Sequence, residues 1–371
     1  MWTEALAWIW LALAAFSWWP VWRQYRREIP MPPPAANFSR GISIIIPFRN
    51  EERHLPALLE SIRKACRADW PVEWIFVDDA SSDHSPDLIK NWQCRCPHRL
   101  LHNNTRGASP KKEALKLGIQ KARYDIIITM DADTVLPEKY FEALAAVLEN
   151  HKEASMIIAP VGLLMPRHHG LAEGFQHVEN LFLQALTRIF ALEDKPIMCN
   201  GAHLIFRRQD FERVKGYEGL PPAAGGDDMF LLVKFKKFFP GRIRYGLAEN
   251  FTVRTYPENS WTGLWRQRLR WARKNPLLND RHIRLAGLWQ SLIYTGYFWT
   301  LPHPFFWLTG NLILWSASIL LIHRQSQLTN DIYRKKYLIL WLLLSPWIYT
   351  AINLAAWLPV KFLWKERTFD R

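Results

Sequence analysis

Cysteine is scarce. Cys66, Cys94, Cys96 and Cys199 are all that the 371-residue chain contains, and they form no metal-ligand spacing. The C-x-C at Cys94 is too short for a zinc knuckle, and no second pair follows it. Free thiols in a reducing compartment are the simplest account, which favours a body facing the cytoplasm. Zinc-finger, RNP-type and basic-helix patterns are also missing, so the net charge of +14 is not expected to serve nucleic acid. Internal repeats are absent. Positive charge is missing ahead of the first apolar run, where Glu4 is the sole charged residue. A cleaved signal peptide would want that charge, so the run reads as a retained anchor.

What the chain does have is tryptophan. Its 20 indoles crowd both ends, where aromatic belts of membrane spans would sit. Residues 5–22 are apolar and approach the roughly 20 residues of a span. Arg23, Arg26 and Arg27 follow at once, which predicts an outside N-terminus and an inside body. The expected divisions are an anchor at 1–24, a proline-rich linker at 25–40, an α/β body at 41–254, an amphipathic interfacial segment at 255–282 and a membrane region at 283–371. In the last, residues 283–301 and 303–322 read as a hairpin, or as an interfacial segment plus one span, and 337–360 as another span. Arg324, Arg334, Lys335 and Lys336 on one side and the tail "KFLWKERTFDR" on the other both favour the cytoplasm, and one span cannot satisfy both. The total is three or four spans.

In the body, short apolar runs alternate with helical segments. "ISIIIP", "EWIFVDD" and "DIIITM" read as strands, and residues 51–67, 84–93, 111–122 and 137–149 as helices. That alternation predicts an α/β fold with a mostly parallel sheet, whose ligands bind beyond the C-terminal strand ends. The unusual residues fall there. Asp131 and Asp133 close "DIIITMDADT" two residues apart, where strand side chains share a face. They mark either a solvated turn or a divalent-cation site. Asp78 and Asp79 end "VDDASSD" before a Ser-rich turn, a pattern of turn chemistry or of acids that accept from a nucleobase or ribose. Lys111 and Lys112 open a helix, a position the dipole disfavours unless a phosphate is bound nearby. Asp227 and Asp228 follow Gly225 and Gly226 and open an apolar helix, as caps or as a general base on a mobile loop. In "WRQRLRWARK", Gln267, Arg270 and Trp271 can reach one site, while Arg266, Arg268, Arg273 and Lys274 can lie toward lipid headgroups.

The order "SIIIPFRNEE", "VDDASSD", "KKEAL", "DADT", "GGDD", "QRLRW" resembles the family 2 glycosyltransferases over roughly residues 42–274. The resemblance implies a GT-A fold, a nucleotide-sugar-binding α/β sandwich, flanked here by N-terminal and C-terminal transmembrane helices. It implies a metal-dependent, inverting hexosyltransferase that moves a sugar from a nucleotide sugar, UDP-linked, to a hydroxyl. It also implies roles. Pro47, Glu51, Asp78, Asp79, Lys111 and Asp131 would bind the donor, and Asp131 and Asp133 would hold Mg²⁺ or Mn²⁺. Asp228 would be the base with Asp227 in support, and Gln267, Arg270 and Trp271 would meet diphosphate and acceptor. Many relatives have Glu-Asp at the acidic pair, and Asp227 keeps that charge with a shorter reach.

The expected partner is a lipid or glycan acceptor, with a lipid or polyprenyl-linked hydroxyl favoured, at the cytoplasmic face of the inner membrane. An enzyme elongating a polysaccharide is the alternative, but three or four spans are few for a channel unless the chain oligomerises or takes a protein partner. A non-catalytic nucleotide-binding membrane module is a further reading. A phosphate-accepting receiver domain has no use for "GGDD" or "QRLRW".

Overall fold

The computed structural model describes residues 2–25, 31–35, 38–67, 69–104, 109–220, 227–356, 358, 362–364 and 367–369. The chain opens with α1 (Trp2–Tyr25), β1 (Ile42–Phe48), α2 (Leu55–Ala65), β2 (Val72–Asp78), α3 (Ser85–Lys90) and β3 (His98–His102). Next come α4 (Pro110–Gln120), β4 (Ile126–Met130), β5 (Thr134–Val135), α5 (Tyr140–Asn150), β6 (Met156–Ile158) and β7 (Val161–Leu163). Then follow α6 (Leu171–Leu192), β8 (His203–Arg207), α7 (Arg208–Arg213), α8 (Asp227–Phe238), β9 (Ile243–Tyr245) and β10 (Val253–Thr255). The remainder is α9 (Trp261–Ala272), α10 (Arg281–Trp299), α11 (Pro304–Thr329), α12 (Lys335–Ala356), β11 (Phe362–Trp364) and β12 (Arg367–Phe369). Arg26, Arg27, Gly225, Gly226 and part of the basic tail lie outside the described residues.

Two compact units result, one of Met31–Leu164, Met198–Tyr256 and Val360–Arg371, the other of Met1–Pro30, Met165–Ile197 and Pro257–Pro359. The expected body at 41–254 is therefore interrupted. Residues 165–197, chiefly α6, cluster with the helices, because α6 packs its apolar residues Phe175, Val178 and Leu181 against Tyr337, Leu338 and Trp341 of α12.

In the α/β unit, β1, β2 and β4 are buried along their whole length. Strands covered on both faces read as continuous apolar runs, and they sit at the centre of a largely parallel sheet. Its order is β3-β2-β1-β4-β8-β6-β9. The pairs β3/β2, β2/β1, β1/β4 and β6/β9 are parallel, while β8 runs antiparallel to β4 and β6. On one face α2 buries Leu55, Leu58, Leu59, Ile62 and Ala65, the spacing of a single helical stripe. A small sheet, β5-β10-β7, sets Thr255 beside Thr134. Within the expected linker, Ala35 donates to the Glu142 carbonyl at 3.2 Å and Phe38 stacks on Trp70, so these residues belong to the α/β unit.

The cysteine expectation is corrected. Cys66 at the end of α2 and Cys96 ahead of β3 are joined in a disulfide, leaving Cys94 and Cys199 as thiols. Four free thiols no longer argue for a reducing compartment. Closing a loop of 30 residues constrains the unfolded chain, worth about 3–4 kcal/mol in the chain-entropy picture.

Among the described residues, the helical unit has three helices long and apolar enough to cross a membrane: Thr3–Arg23, Pro304–Thr329 and Lys335–Ala356. The expected segment at 283–301 is α10, which does not reach that standard among the described residues. Trp8, Phe16, Trp19, Leu312 and Trp347 point outward from these helices. Two buried polar residues on α6 reach across to other segments: Arg188 donates to Gln325 at 3.0 Å, and His177 lies 2.9 Å from Asp331.

Where α4 crosses β1, a Cβ on Gly118 would lie 2.4 Å from Cγ2 of Ile45. Gly118→Ala gains up to about 1 kcal/mol of helix propensity. Overpacking costs about 1–3 kcal/mol at a site where a buried, β-branched neighbour cannot move aside. The variant is expected to melt below the wild type, and an equal or higher melting temperature would show that α4 is looser on the sheet than described.

Candidate active site

The loops after β1 and β2 are knit together. Asn50 takes φ 51° and Ala80 φ 56°, left-handed conformations that let the chain turn sharply off each strand. Such a φ costs an alanine about 1–2 kcal/mol. Arg49 offsets it by donating to the carbonyls of Asp79 at 3.0 Å and Ala80 at 2.8 Å. Asn50 Oδ1 accepts from the Ser82 amide at 2.9 Å, and Ser81 and Ser85 hydroxyls accept from the Asn50 and Glu51 amides. The Ser-rich turn thus anchors one loop to the other.

The acids that end β2 are buried and satisfied. Asp78 accepts from the Ser81 amide at 2.9 Å and lies 3.2 Å from His102 Nδ1. Asp79 accepts from Asn103 Nδ2 at 2.9 Å. The same Asn103 amide reaches the carbonyl of Pro110 at 3.3 Å, the first residue of α4. One residue on, Lys111 Nζ donates to Asp131 Oδ1 at 2.7 Å. Burial works against the Lys111 charge, but Asp131, Asp227 and Asp228 outweigh it and hold the ammonium above its ordinary pKa. For Lys112 the balance is reversed: burial, with its Nζ 5.2 Å over the Phe230 ring, lowers its pKa despite Asp227.

Asp131 and Asp133 lie in the turn between β4 and β5 rather than in the strand itself. Their roles differ accordingly. Asp131 faces Lys111, while Asp133 Oδ2 accepts from Thr255 Oγ1 at 2.9 Å. Two carboxylates are the oxygen donors that a hard cation such as Mg²⁺ takes, with phosphate oxygens and water completing the shell. Asp131 already holds one cation, the Lys111 ammonium, and the donor chemistry of the two carboxylates is of the kind a divalent ion takes.

At the head of α8, Asp227 is buried and Asp228 half-buried. Asp228 Oδ2 accepts from the Gly201 amide at 3.0 Å, and Oδ1 from the Met229 amide at 2.8 Å. The helix N-terminus favours their charge. Burial first, then Asp228 and Asp227, push the thiol of Cys199 well up, and burial with the same two acids does so for the Tyr217 hydroxyl.

Asp78, Asp79, Lys111, Asp131, Asp227 and Asp228 are thus linked through direct bonds or electrostatic contact. Pro47 is buried in β1 in register with Val77, and Glu51 is engaged 2.7 Å from His54 Nδ1. Gln267, Arg270 and Trp271 sit on α9 in the helical unit. There Gln267 reaches Glu258 at 3.4 Å, and Trp271 is exposed. Arg268 was expected toward lipid headgroups. It is buried instead, with its guanidinium on Glu179 and 4.2 Å from the Trp271 ring, because Glu179 on α6 is itself fully buried and needs a cation.

Residues 43–215 match the model of Glycosyl transferase family 2. The chain carries a family 2 glycosyltransferase domain. Among curated relatives, an undecaprenyl-phosphate 4-deoxy-4-formamido-L-arabinose transferase of Serratia proteamaculans (strain 568) is 36% identical over 30% of this chain and 34% of its own length. A 4,4'-diaponeurosporenoate glycosyltransferase of Staphylococcus haemolyticus (strain JCSC1435) is 30% identical over 39% of this chain and 36% of its own. The Probable glycosyltransferase YdaM of Bacillus subtilis (strain 168) is 25% identical over 69% and 58%. The chain thus spans between 34% and 58% of the lengths of these relatives. Among solved structures, the mannosyltransferase PcManGT from Pyrobaculum calidifontis, in complex with GDP-Man and Mn²⁺, shares the fold. Its TM-score is 0.54 at 20% identity, over 95% of this chain and 99% of that one.

Several groups in the glycosyltransferase domain escaped the sequence reading. His102 and Asn103 brace the two acids of β2, Gly201 orients Asp228, and Thr255 holds Asp133. "HRLLHN" is short and lacks alternation, so only its parallel pairing with β2 marks it as a strand. In the helical unit, the Arg268–Glu179 pair fixes α9. Glu179→Ala leaves a buried guanidinium without its carboxylate, at a cost of about 3–5 kcal/mol. Detergent-solubilised Glu179→Ala is expected to melt far below the wild type, with Glu179→Gln between them, and wild-type melting of Glu179→Ala would contradict the pair's role.

Proposed function

We propose that the protein is a membrane-bound, inverting, metal-dependent hexosyltransferase. It moves a sugar from a nucleotide sugar, UDP-linked, to a hydroxyl of a lipid or polyprenyl-linked acceptor at the cytoplasmic face of the inner membrane. The observation that carries this reading is the linked run from Asp78 and Asp79 through Asn103 and Lys111 to Asp131, with Asp227 and Asp228 in electrostatic contact. Relatives named for undecaprenyl-phosphate sugar transfer and three membrane-length helices support the lipid acceptor.

In this proposal Asp78 and Asp79, oriented by His102 and Asn103, accept from the nucleoside end of the donor. Pro47 and Glu51 border that end. Lys111 neutralises phosphate oxygens. Asp131 and Asp133 would hold Mg²⁺ or Mn²⁺, which when bound stabilises charge on the departing diphosphate. Asp228, its carboxylate oriented by the Gly201 and Met229 amides, takes the acceptor's hydroxyl proton. The acceptor oxygen then bonds to the anomeric carbon from the face opposite the diphosphate, whose bond to that carbon breaks. Asp227 stands beside it in support, its negative charge favouring proton uptake by Asp228. Gln267, Arg270 and Trp271 keep the role the resemblance gives them, toward diphosphate and acceptor.

Such a base contributes about 10²–10⁴-fold. Asp228→Asn should therefore bind donor normally but transfer sugar slower by that factor, measured with radiolabelled UDP-sugars and membrane-extracted acceptor lipids. Undiminished transfer would remove Asp228 as base and point to an acceptor oxygen that is already anionic, such as a lipid phosphate.

A further inference from the structure

The three cysteines nearest the sheet's first edge share no residue with the candidate active site. Cys66 caps the end of α2, and Cys94 and Cys96 lie in the lead-in to β3. Their sulfur atoms all lie within 4.8 Å of one another. A disulfide needs only two of them. Cys94 is the third, half-buried, with its Sγ accepting from the Cys96 amide at 3.5 Å. The guanidinium of Arg63, held chiefly by Glu60, is also within electrostatic range of Cys94. The sequence hid this group, because the C-x-C pair gains its third member from a distant helix end.

We propose that, once the Cys66–Cys96 bond is reduced, Cys66, Cys94 and Cys96 form a trithiolate site for a thiophilic divalent cation of the Zn²⁺ class. Zinc–sulfur bonds of about 2.3 Å set neighbouring sulfurs about 3.8 Å apart. The present cluster reaches that spacing with small side-chain shifts. Two equivalents of a monothiol reductant convert the disulfide to two thiols and leave as their own disulfide. The cation then binds three sulfurs as three protons depart, and water takes the fourth position. Both forms tie the end of α2 to the start of β3, the strand whose far end carries His102 against Asp78. Oxidation thus exchanges one staple for another at the end of the sheet opposite the donor-binding loops.

The test uses the full chain in detergent, reduced with a phosphine and freed of reductant without oxygen, then titrated with Cd²⁺ as the probe. Thiolate-to-cadmium charge-transfer absorption should saturate at one equivalent and should persist in Asp133→Ala and Cys199→Ser. Cys94→Ser should lose at least ~10–100-fold in affinity, the loss seen even for groups outside a ligand set. Oxidised wild type with an unchanged melting curve should give no band, which keeps the test decisive should Cys94→Ser not fold. No band in the reduced wild type, or a full band at unchanged affinity in folded Cys94→Ser, would overturn the site.

Discussion

Carboxylates gathered at the ends of neighbouring elements repel one another, and the ammonium of Lys111 holds this group together. It sits 2.7 Å from Asp131, within electrostatic range of Asp227 and Asp228, and stays charged although largely removed from solvent. Few side chains accept such burial. The arrangement stands because α4 begins at Pro110, whose carbonyl is tied through Asn103 to Asp79. A cation that stabilises clustered acids without ligand is also one that phosphate oxygens can share.

The sheet explains why these groups meet. Parallel strands β2, β1 and β4 end together, so the loops after them form one rim. Rigidity at that rim comes from side-chain to backbone bonds of Arg49, Asn50, Ser81 and Ser85, not from regular structure. The helical unit solves a different problem. The charges of Glu179 and Arg268 are buried in it as a pair, while its long apolar helices turn aromatic and aliphatic side chains outward. A helix bundle of that kind is suited to lipid rather than water.

Much of the candidate site could be picked out in the sequence because its residues break local rules. Acids closing buried strands and lysines opening a helix are costly without a partner, and Asp78, Asp79, Lys111, Asp131 and Asp228 stood out for that reason. The fully buried strands were legible from β-branched runs such as "ISIIIP". What stayed hidden depends on contacts far apart in sequence. β3 is a half-exposed edge strand with no pattern of its own, and β8 enters antiparallel between β4 and β6, a pairing with distant strands that no local cue announces. Arg268 looked like one more surface arginine until Glu179 of α6 came beside it. The Cys66–Cys96 bond could not be read either, since spacing alone does not say which helix end meets which loop.

The most direct test is thermal stabilisation of the detergent-purified protein by UDP, GDP and other nucleotides, with and without Mn²⁺, in the wild type and in Asp133→Ala. At a hundredfold excess over Kd, a nucleotide that binds only the folded state adds about 2.7 kcal/mol. The expected result is a shift with UDP that requires the metal and vanishes in Asp133→Ala. No shift with any nucleotide, or an equal shift in Asp133→Ala without metal, would contradict a metal-assisted nucleotide-sugar site.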